Sequence, residues 1–488
     1  MQEKYISLND QRVYNDQYLL AVFEVGVQSG KDLMAVASEM AAESSNGSNI
    51  EVGTVTKFSD AMGAIVYRVD EERNLIWIAY PWRIFDRGGN IQNILTFIAG
   101  NIFGMADLKK CRLLDVWFPN SMLDQYDGPS YTLTDMREYL KAYNMPIIGT
   151  IIKPKIGLTA SEYAEVSYDF WSGGGMFVKN DEPQANQDFC PFDKMVDYIK
   201  ESMEEAERET NQRKVHSFNV SAADFDTMIE RAEYVKGKMK PGSYAFLVDG
   251  VTAGWTAVQT IRRRYPDVFL HFHRAGHAAF TRSENSFGYT VPVLTKFARL
   301  AGVSGIHTGT AGVGKMAGTD IDDITAAKLA LLYEYDGFFF EQDWLKFPKQ
   351  NSDAGKYIKD SKEKDWQENK ELEQLNNFYK NLASKKTNKY FNQNWRKIRS
   401  TCPIISGGLN PVLLGEFINK IKDVDFITTM GAGVHAHPLG TKAGAKAMMQ
   451  ACEAWQKGID IYKYAKENTE LDYAIQFYDK HGTQAKRK

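Results

Sequence analysis

Gly173-Gly174-Gly175-Met176-Phe177-Val178-Lys179-Asn180-Asp181-Glu182-Pro183-Gln184 joins a strand to a cluster of charges. Met176 to Asn180 reads as a short buried strand after a glycine-rich turn, and Pro183 forbids a simple continuation. Alternation along the strand puts Lys179 and Asp181 on one face. Glu182 falls where the chain bends away, so it can swing back beside them. Three ionisable side chains at a strand end are costly to bury unless their charge is offset. Two arrangements offset it. One is a buried Lys–Asp ion pair. The other is a Mg²⁺ site with oxygen ligands, in which the lysine takes part as an anionic carbamate formed with CO₂.

Outward from this stretch, apolar runs that read as buried parallel strands recur with helical stretches between them. They lie at Ile147–Lys153, Met176–Asn180, Ser217–Ser221, Tyr244–Asp249, Phe269–His273, Gly305–Thr308, Pro403–Ser406 and Phe426–Thr429. Eight strands alternating with helices predict an α/β fold, a C-terminal (β/α)₈ (TIM) barrel, whose active site lies at the strands' C-terminal ends. The polar and glycine-rich signals fall at those ends. Residues 1–140 read differently. Strands at Tyr18–Val27, Ile50–Val55, Ala64–Val69, Leu75–Tyr80 and Leu113–Phe118, with helices at Asp32–Glu43 and Ile91–Phe103, predict an N-terminal α+β domain of ferredoxin-like type. The barrel domain then spans 141–488 and ends in helices at Gly444–Lys457, Ile459–Lys466 and Leu471–Lys480. About a hundred residues separate the sixth and seventh strands, where about 30 would serve. The excess, an insertion at about 345–394, is rich in Lys, Asn and Glu. Its Leu372, Leu375, Phe378, Tyr379 and Leu382 repeat at helical spacing, which suits either a solvated excursion or an assembly surface.

A chain of 488 residues, 43% hydrophobic and 25% charged, has an ordinary globular composition and room for two domains. Its net charge of −3 gives no reason to expect nucleic acid or an anionic membrane as partner. Cys111, Cys190, Cys402 and Cys452 are far apart, which argues against a zinc knuckle or a disulfide framework and suits a reducing cytoplasm. The start MQEKYISLND lacks an apolar leader pattern, and no run of about 18 apolar residues occurs.

The strand ends carry the chemistry. The first ends in Lys153-Pro154-Lys155, whose two cations can face the barrel mouth as a general base and its neighbour, or as an anion-binding pair. The fifth gives His271-Phe272-His273-Arg274, with His277 shortly after. Metallohydrolases with a carbamylated lysine also use an HxH pair, but theirs ends the first strand. The sixth supplies His307 and a glycine-rich loop carrying Lys315, able to close over a substrate. The seventh ends in Ser406-Gly407-Gly408 and the eighth in Gly431-Ala432-Gly433, where small residues let backbone N–H groups approach phosphate. Arg274 and His307 across the mouth complete provision for two separated anions, as in a bisphosphate.

In colinear order, GTIIKPK, GGxFxKNDEPQ, HxHRAGH, GIHTGT-x₃-GK and IISGG closely resemble ribulose-1,5-bisphosphate carboxylase/oxygenase (RuBisCO) large chains. AAESSNGSN (41–49) and AGNIFGM (99–105) match N-terminal motifs of the same family. The resemblance is nearest the form II and archaeal form II/III groups, which work without a small subunit. It implies a cytoplasmic, Mg²⁺-dependent lyase of carbon dioxide fixation with an oxygenase (monooxygenase) side reaction. Its substrates would be ribulose 1,5-bisphosphate, CO₂ and O₂. It also implies that Lys179 is carbamylated by CO₂ and binds Mg²⁺ with Asp181 and Glu182. Lys153 is similar to the enolisation base, and Lys155 to a neighbour on the substrate. His273 is similar to the histidine near the substrate hydroxyls. Arg274 and His307 resemble ligands of one phosphate; Lys315 resembles the loop lysine over the other phosphate and the incoming carboxylate. Ser406, Gly408, Gly431 and Ala432 resemble the rest of the substrate cradle. Glu43, Ser48, Asn49 and Asn101 resemble groups supplied by the N-terminal domain of the partner in a homodimer, which could be part of a larger ring. Three features depart from the pattern: Ala317 where most members have Glu, Ala432 within a usual Gly triplet, and the insertion. The alternatives are a RuBisCO-like enolase or isomerase, a carbamyl-lysine metallohydrolase, and a non-catalytic scaffold.

Overall fold

The computed structural model describes residues 4–47, 52–314, 320–335 and 391–481. In the N-terminal part β1 (Tyr18–Val27), β2 (Ile65–Asp70), β3 (Leu75–Pro81) and β4 (Leu108–Trp117) lie in the spatial order 4-1-3-2, with antiparallel neighbours. The helices Leu33–Glu43 and Ile91–Ile98 link them in the split-βαβ pattern. Asp32 caps the first helix by accepting from Ala35 N at 2.8 Å.

Two N-terminal expectations fail locally. Residues 52–55 form no strand; Val52 and Val55 are exposed, and the short helix Lys57–Ala61 follows. The helix expected over Ile91–Phe103 stops at Ile98, where the backbone leaves helical geometry at Ala99 and Gly100, and a Cβ on Gly100 would lie 2.2 Å from Thr96 O.

The barrel strands are β5 (Gly149–Ile151), β6 (Phe177–Lys179), β7 (Val215–Asn219), β8 (Tyr244–Asp249), β9 (Phe269–His273), β11 (Gly305–His307), β14 (Cys402–Ile405) and β15 (Ile427–Thr428). They pair in parallel in that order. Ile147 N donates to Phe426 O (3.0 Å), Thr428 N to Ile147 O (2.9 Å) and Met430 N to Gly149 O (3.1 Å), which closes the ring. A Cβ on Gly149 would stand 2.4 Å from Thr428 O, so this seam requires glycine.

Sheet and barrel are tied together. β10 (Phe287–Tyr289), which follows β9, leaves the barrel and adds in parallel to β4. Lys296 and Asp115 lie 2.7 Å apart, both fully buried, and Lys296 Nζ also donates to Val116 O (2.7 Å). Beyond the barrel's sixth strand, β12 (Glu334–Tyr335) pairs antiparallel with β13 (Gln393–Asn394). The stripe expected at 372–382 lies outside the described residues. The last helices run Gly440–Gln456, Ile461–Ala465 and Thr469–His481. No helix among the described residues is long and apolar enough to cross a membrane.

Candidate active site

A cavity of about 680 Å³ opens at the C-terminal ends of the barrel strands. Lys153, Lys155, Asp181, Glu182, His273 and Arg274 line it, with the turns at 406–410 and 431–433. The bend after β6 that sets Asp181 and Glu182 is fixed by amides. Asn219 N donates to Asn180 Oδ1 (3.0 Å), and Asn219 Nδ2 donates to Glu182 O (2.9 Å). Asn180 Nδ2 in turn reaches Tyr163 OH at 3.1 Å.

Lys179 is fully buried at the end of β6, and its Nζ has no hydrogen-bond partner. Burial pushes its amine down to about 8, although Asp181 and Glu182 pull the other way. Lys153 donates to Asp181 Oδ2, and Lys155 Nζ lies 3.8 Å from Glu182 Oε1. Burial raises Asp181, but its hydrogen bond at Glu182 and the Lys153 ammonium outweigh it and hold the carboxyl at about 2. Burial and the adjacent Asp181 carboxylate push Glu182 upward. The lysine–carboxylate pair expected as one possibility therefore exists, but through Lys153.

Ala275 N lies 3.2 Å from His273 Nδ1, and His273 Nε2 lies 3.5 Å from Glu182 Oε2. Arg274 lines the cavity and has a buried Nη1 with no hydrogen-bond partner, and burial lowers its guanidinium to about 10. His307 has both ring nitrogens engaged, Nδ1 with Ser406 Oγ and Nε2 with His271 Nε2, each at 3.0 Å. Gly407 and Gly408 have φ of +101° and +106°, a left-handed turn that bulkier residues resist. A Cβ on Gly433 would meet Leu409 O at 2.0 Å. Ala432 lies at the cavity with its backbone held from behind, since Tyr478 OH donates to Ala432 O (2.9 Å).

The described residues match one family along nearly their whole length. Residues 132–352 and 361–478 match the ribulose bisphosphate carboxylase large chain, catalytic domain, and residues 7–122 match the N-terminal domain of the same chain. The chain belongs to the RuBisCO large-chain family. A ribulose bisphosphate carboxylase of Rhodobacter capsulatus is 35% identical over 472 residues, covering 95% of this chain and 92% of its own. One from Rhodopseudomonas palustris is 38% identical over 457 residues, covering 92% and 88%. The dimeric archaeal Rubisco of Hyperthermus butylicus superposes with a TM-score of 0.81 at 31% identity, covering 97% and 98%. The octameric enzyme of Pyrococcus horikoshii gives 0.80 at 29% identity, covering 98% and 97%. The RuBisCO fold, a closed eight-stranded barrel beside an α+β domain, is thus the fold of this chain.

Among the RuBisCO-like site residues, the barrel set gathers at one mouth. Glu43 and Asn101 are bonded to each other, Asn101 Nδ2 donating to Glu43 Oε1 at 3.0 Å, but neither lines this chain's cavity. Ser48, Asn49, Lys315 and Ala317 lie outside the described residues. Asp249 and His277 carried no role in the sequence reading. Asp249 ends β8 with Oδ1 3.3 Å from His273 Nδ1, a position at a barrel-strand end that could have flagged it. His277 lines the cavity with Nδ1 2.7 Å from Thr281 Oγ1. Tyr478 reaches the site from the last helix, and nothing in its local sequence signals that.

Three imidazoles beneath the site, His216, His271 and His307, are buried, and burial keeps each neutral in the fold. His216 is lowered to about 3, the other two well below the usual range. A folded pKa below the unfolded value means that their stability contribution is full above about pH 6.5 and is lost as pH falls. Each is worth about 1.4 kcal/mol per pH unit below that point. The thermal midpoint should hold between about pH 8 and 7 and fall steeply below about 6.5. A midpoint unchanged down to about pH 5 would contradict the burial of these rings.

Proposed function

We propose that the chain is a ribulose-1,5-bisphosphate carboxylase/oxygenase that adds CO₂, or O₂ in competition, to the enediolate of its substrate. The observation that carries this reading is Lys179: a buried amine with no hydrogen-bond partner, lowered to about 8, beside two carboxylates at a barrel mouth. Among the described residues no three His, Cys, Asp or Glu side chains gather closely enough to hold a metal ion. Asp181 and Glu182 would hold Mg²⁺, and a Lys179 carbamate would add a third anionic oxygen ligand. The neutral Lys179 amine adds through its lone pair to the carbon of CO₂ and loses one proton, leaving that carbamate. Bound Mg²⁺ would polarise the C2 and C3 oxygens of the substrate and stabilise the negative charge that develops there.

The chain's own groups do the rest. Lys153, held to Asp181 in the free protein, is placed to move the C3 proton. His273 presents its ring to a substrate hydroxyl. Arg274 and His307 hold one phosphate, Ser406 and the backbone N–H groups of Gly408, Gly431 and Ala432 complete the substrate cradle, and Lys155 steadies the charge beside Glu182. On the family resemblance, Lys315 meets the new carboxylate. Hydration and C2–C3 cleavage then give two 3-phosphoglycerates. The same reading divides the chain at about residue 140 and places it in the cytoplasm. It makes the chain a homodimer with shared sites, without a small subunit.

Fixation of labelled bicarbonate by the purified protein, preincubated with CO₂ and Mg²⁺, tests the assignment. Acid-stable label in 3-phosphoglycerate is expected. Its absence, in protein that binds the bisphosphate, would favour an enolase-type relative instead.

A further inference from the structure

His435 ends the short helix Ala432–His435 that follows the eighth barrel strand, and it is absent from the cavity lining. Its ring reaches the end of the first strand instead. Nε2 lies 3.0 Å from Ile151 O and 3.0 Å from Thr150 Oγ1, and Nδ1 lies 3.0 Å from Thr441 Oγ1. A carbonyl oxygen only accepts, so the Ile151 bond puts a proton on Nε2. Thr150 can accept from it as well, because its own hydroxyl donates to Met430 O at 2.5 Å. Nδ1 then accepts from the hydroxyl of Thr441, at the start of the helix Gly440–Gln456. Burial lowers the ring to about 4 against the opposing pull of Ile151 O, and the Lys153 ammonium adds to the lowering. The neutral ring thus has a suitable partner for each nitrogen.

These bonds frame Lys153 on two sides. Ile151 lies two residues before it, in register with Lys179 on the neighbouring strand. The Lys153 stem lies along Gly431, where a Cβ would stand 2.8 Å from Lys153 Cε. Its Nζ, at the far end, donates to Asp181. His435 Nε2–H and the Thr150 hydroxyl therefore join the strand end that carries Lys153 to the turn that its stem rests on. A lysine stem is flexible along four carbons, so its ammonium sits where the backbone and the surface beneath the stem direct it.

We propose that His435 is a positioning residue for Lys153, tying the first strand's end to the turn after the eighth so that Lys153 Nζ meets the C3 proton. It touches no substrate and exchanges no proton with it. The inference rests on the reading of Lys153 as the group that moves the C3 proton.

Exchange of the C3 proton of ribulose 1,5-bisphosphate with deuterated solvent, by full-length protein activated with CO₂ and Mg²⁺, isolates the step that Lys153 serves. His435→Phe keeps a ring but loses the hydrogen bonds to Ile151 and Thr150. It should lower the kcat of exchange by about tenfold or more while KM stays within about threefold, the pattern of lost orientation rather than lost binding. His435→Gln, whose amide N–H can reach Ile151 O, should recover most of the rate. Thr150→Val, which removes the hydroxyl link to Met430, should lose exchange in the same direction and to a smaller extent, and it keeps the test open if His435→Phe does not fold. A second readout needs no turnover. Acetylation of Lys153 by acetic anhydride, measured by mass spectrometry against Lys155 in the same protein, should rise about threefold or more in His435→Phe as the Asp181 contact loosens, and stay near wild type in His435→Gln. An unchanged exchange rate in His435→Phe and Thr150→Val would overturn the inference, as would equal losses in His435→Phe and His435→Gln. If the wild type exchanges no C3 proton, the role given to Lys153 fails; a raised labelling ratio would then still support the tie, and an unchanged one would overturn it too.

Discussion

Lys179→Ala is expected to lower carboxylation by more than about a thousandfold, because a metal worth several kcal/mol of charge stabilisation loses one of its three protein donors. Calorimetric binding of Mg²⁺ in the presence of CO₂ should vanish with it. Stability should behave in the opposite sense to activity. The wild-type Nζ is buried without a hydrogen-bond partner, and removing a buried polar group that makes no hydrogen bond relieves a desolvation cost. Lys179→Met, which preserves volume, should therefore be as inactive as Lys179→Ala yet melt within a few degrees of wild type. Substantial CO₂- and Mg²⁺-dependent activity in Lys179→Met would remove Lys179 from the site.

The second large effect concerns two chains. Glu43 is exposed, bonded to Asn101, and absent from the cavity lining of its own barrel. That suits a site completed by a partner's N-terminal domain. Glu43→Gln and Lys179→Ala should each be nearly inactive as pure homodimers. Co-expressed, they form mixed dimers in which one site joins an intact barrel to an intact N-terminal domain, while the other carries both lesions. Random pairing makes about half the dimers mixed, so roughly a quarter of wild-type activity should return. If Glu43 served its own barrel, every site would carry a lesion. Verified mixed dimers with no recovery would exclude the shared site.

How far the sequence could be read depended on whether the deciding interactions were local. β8 and β9 are found at the residues expected because their apolar runs end abruptly at Gly250 and Arg274. β7 starts two residues earlier than expected. His216 looks like a turn residue, but it is buried with Tyr163 OH 3.1 Å from its Nε2, while Ser217 on the opposite strand face meets His271. Their polarity is satisfied by partners far off in sequence. The strand expected over Ile50–Val55 failed for the converse reason. Its apolar residues suit a strand, but Val52 and Val55 are exposed, with no sheet to pack on. The charged cluster at Lys179–Glu182 was legible because one strand end presents it. The hydrogen-bonded run Ser217–His271–His307–Ser406 was not, since it takes the packing of β7, β9, β11 and β14 into one barrel to bring those atoms together. Tyr478 was hidden in the same way, by a helix that returns to the mouth only after the barrel is complete.

The two-stranded ribbon between β12 and β13 sets the terms on which chain length can vary. Trp395 N donates to Tyr333 O at 3.1 Å just past it, and Gln393 is clamped by Phe118, accepting from its N–H at 2.9 Å and donating to its carbonyl at 3.2 Å. The Arg299 guanidinium stacks 4.5 Å from the Trp395 ring and donates to Leu329 O and Ile398 O. The described residues on either side of 336–390 are thereby held beside each other. Closing a loop between fixed ends costs only about 0.6 kcal/mol more for each doubling of its length. The ribbon thus works as a splice point. A short turn, or a foreign domain whose termini lie close together, can take the place of the native segment at little entropic penalty. The barrel would keep its register because no strand on either side would have to move.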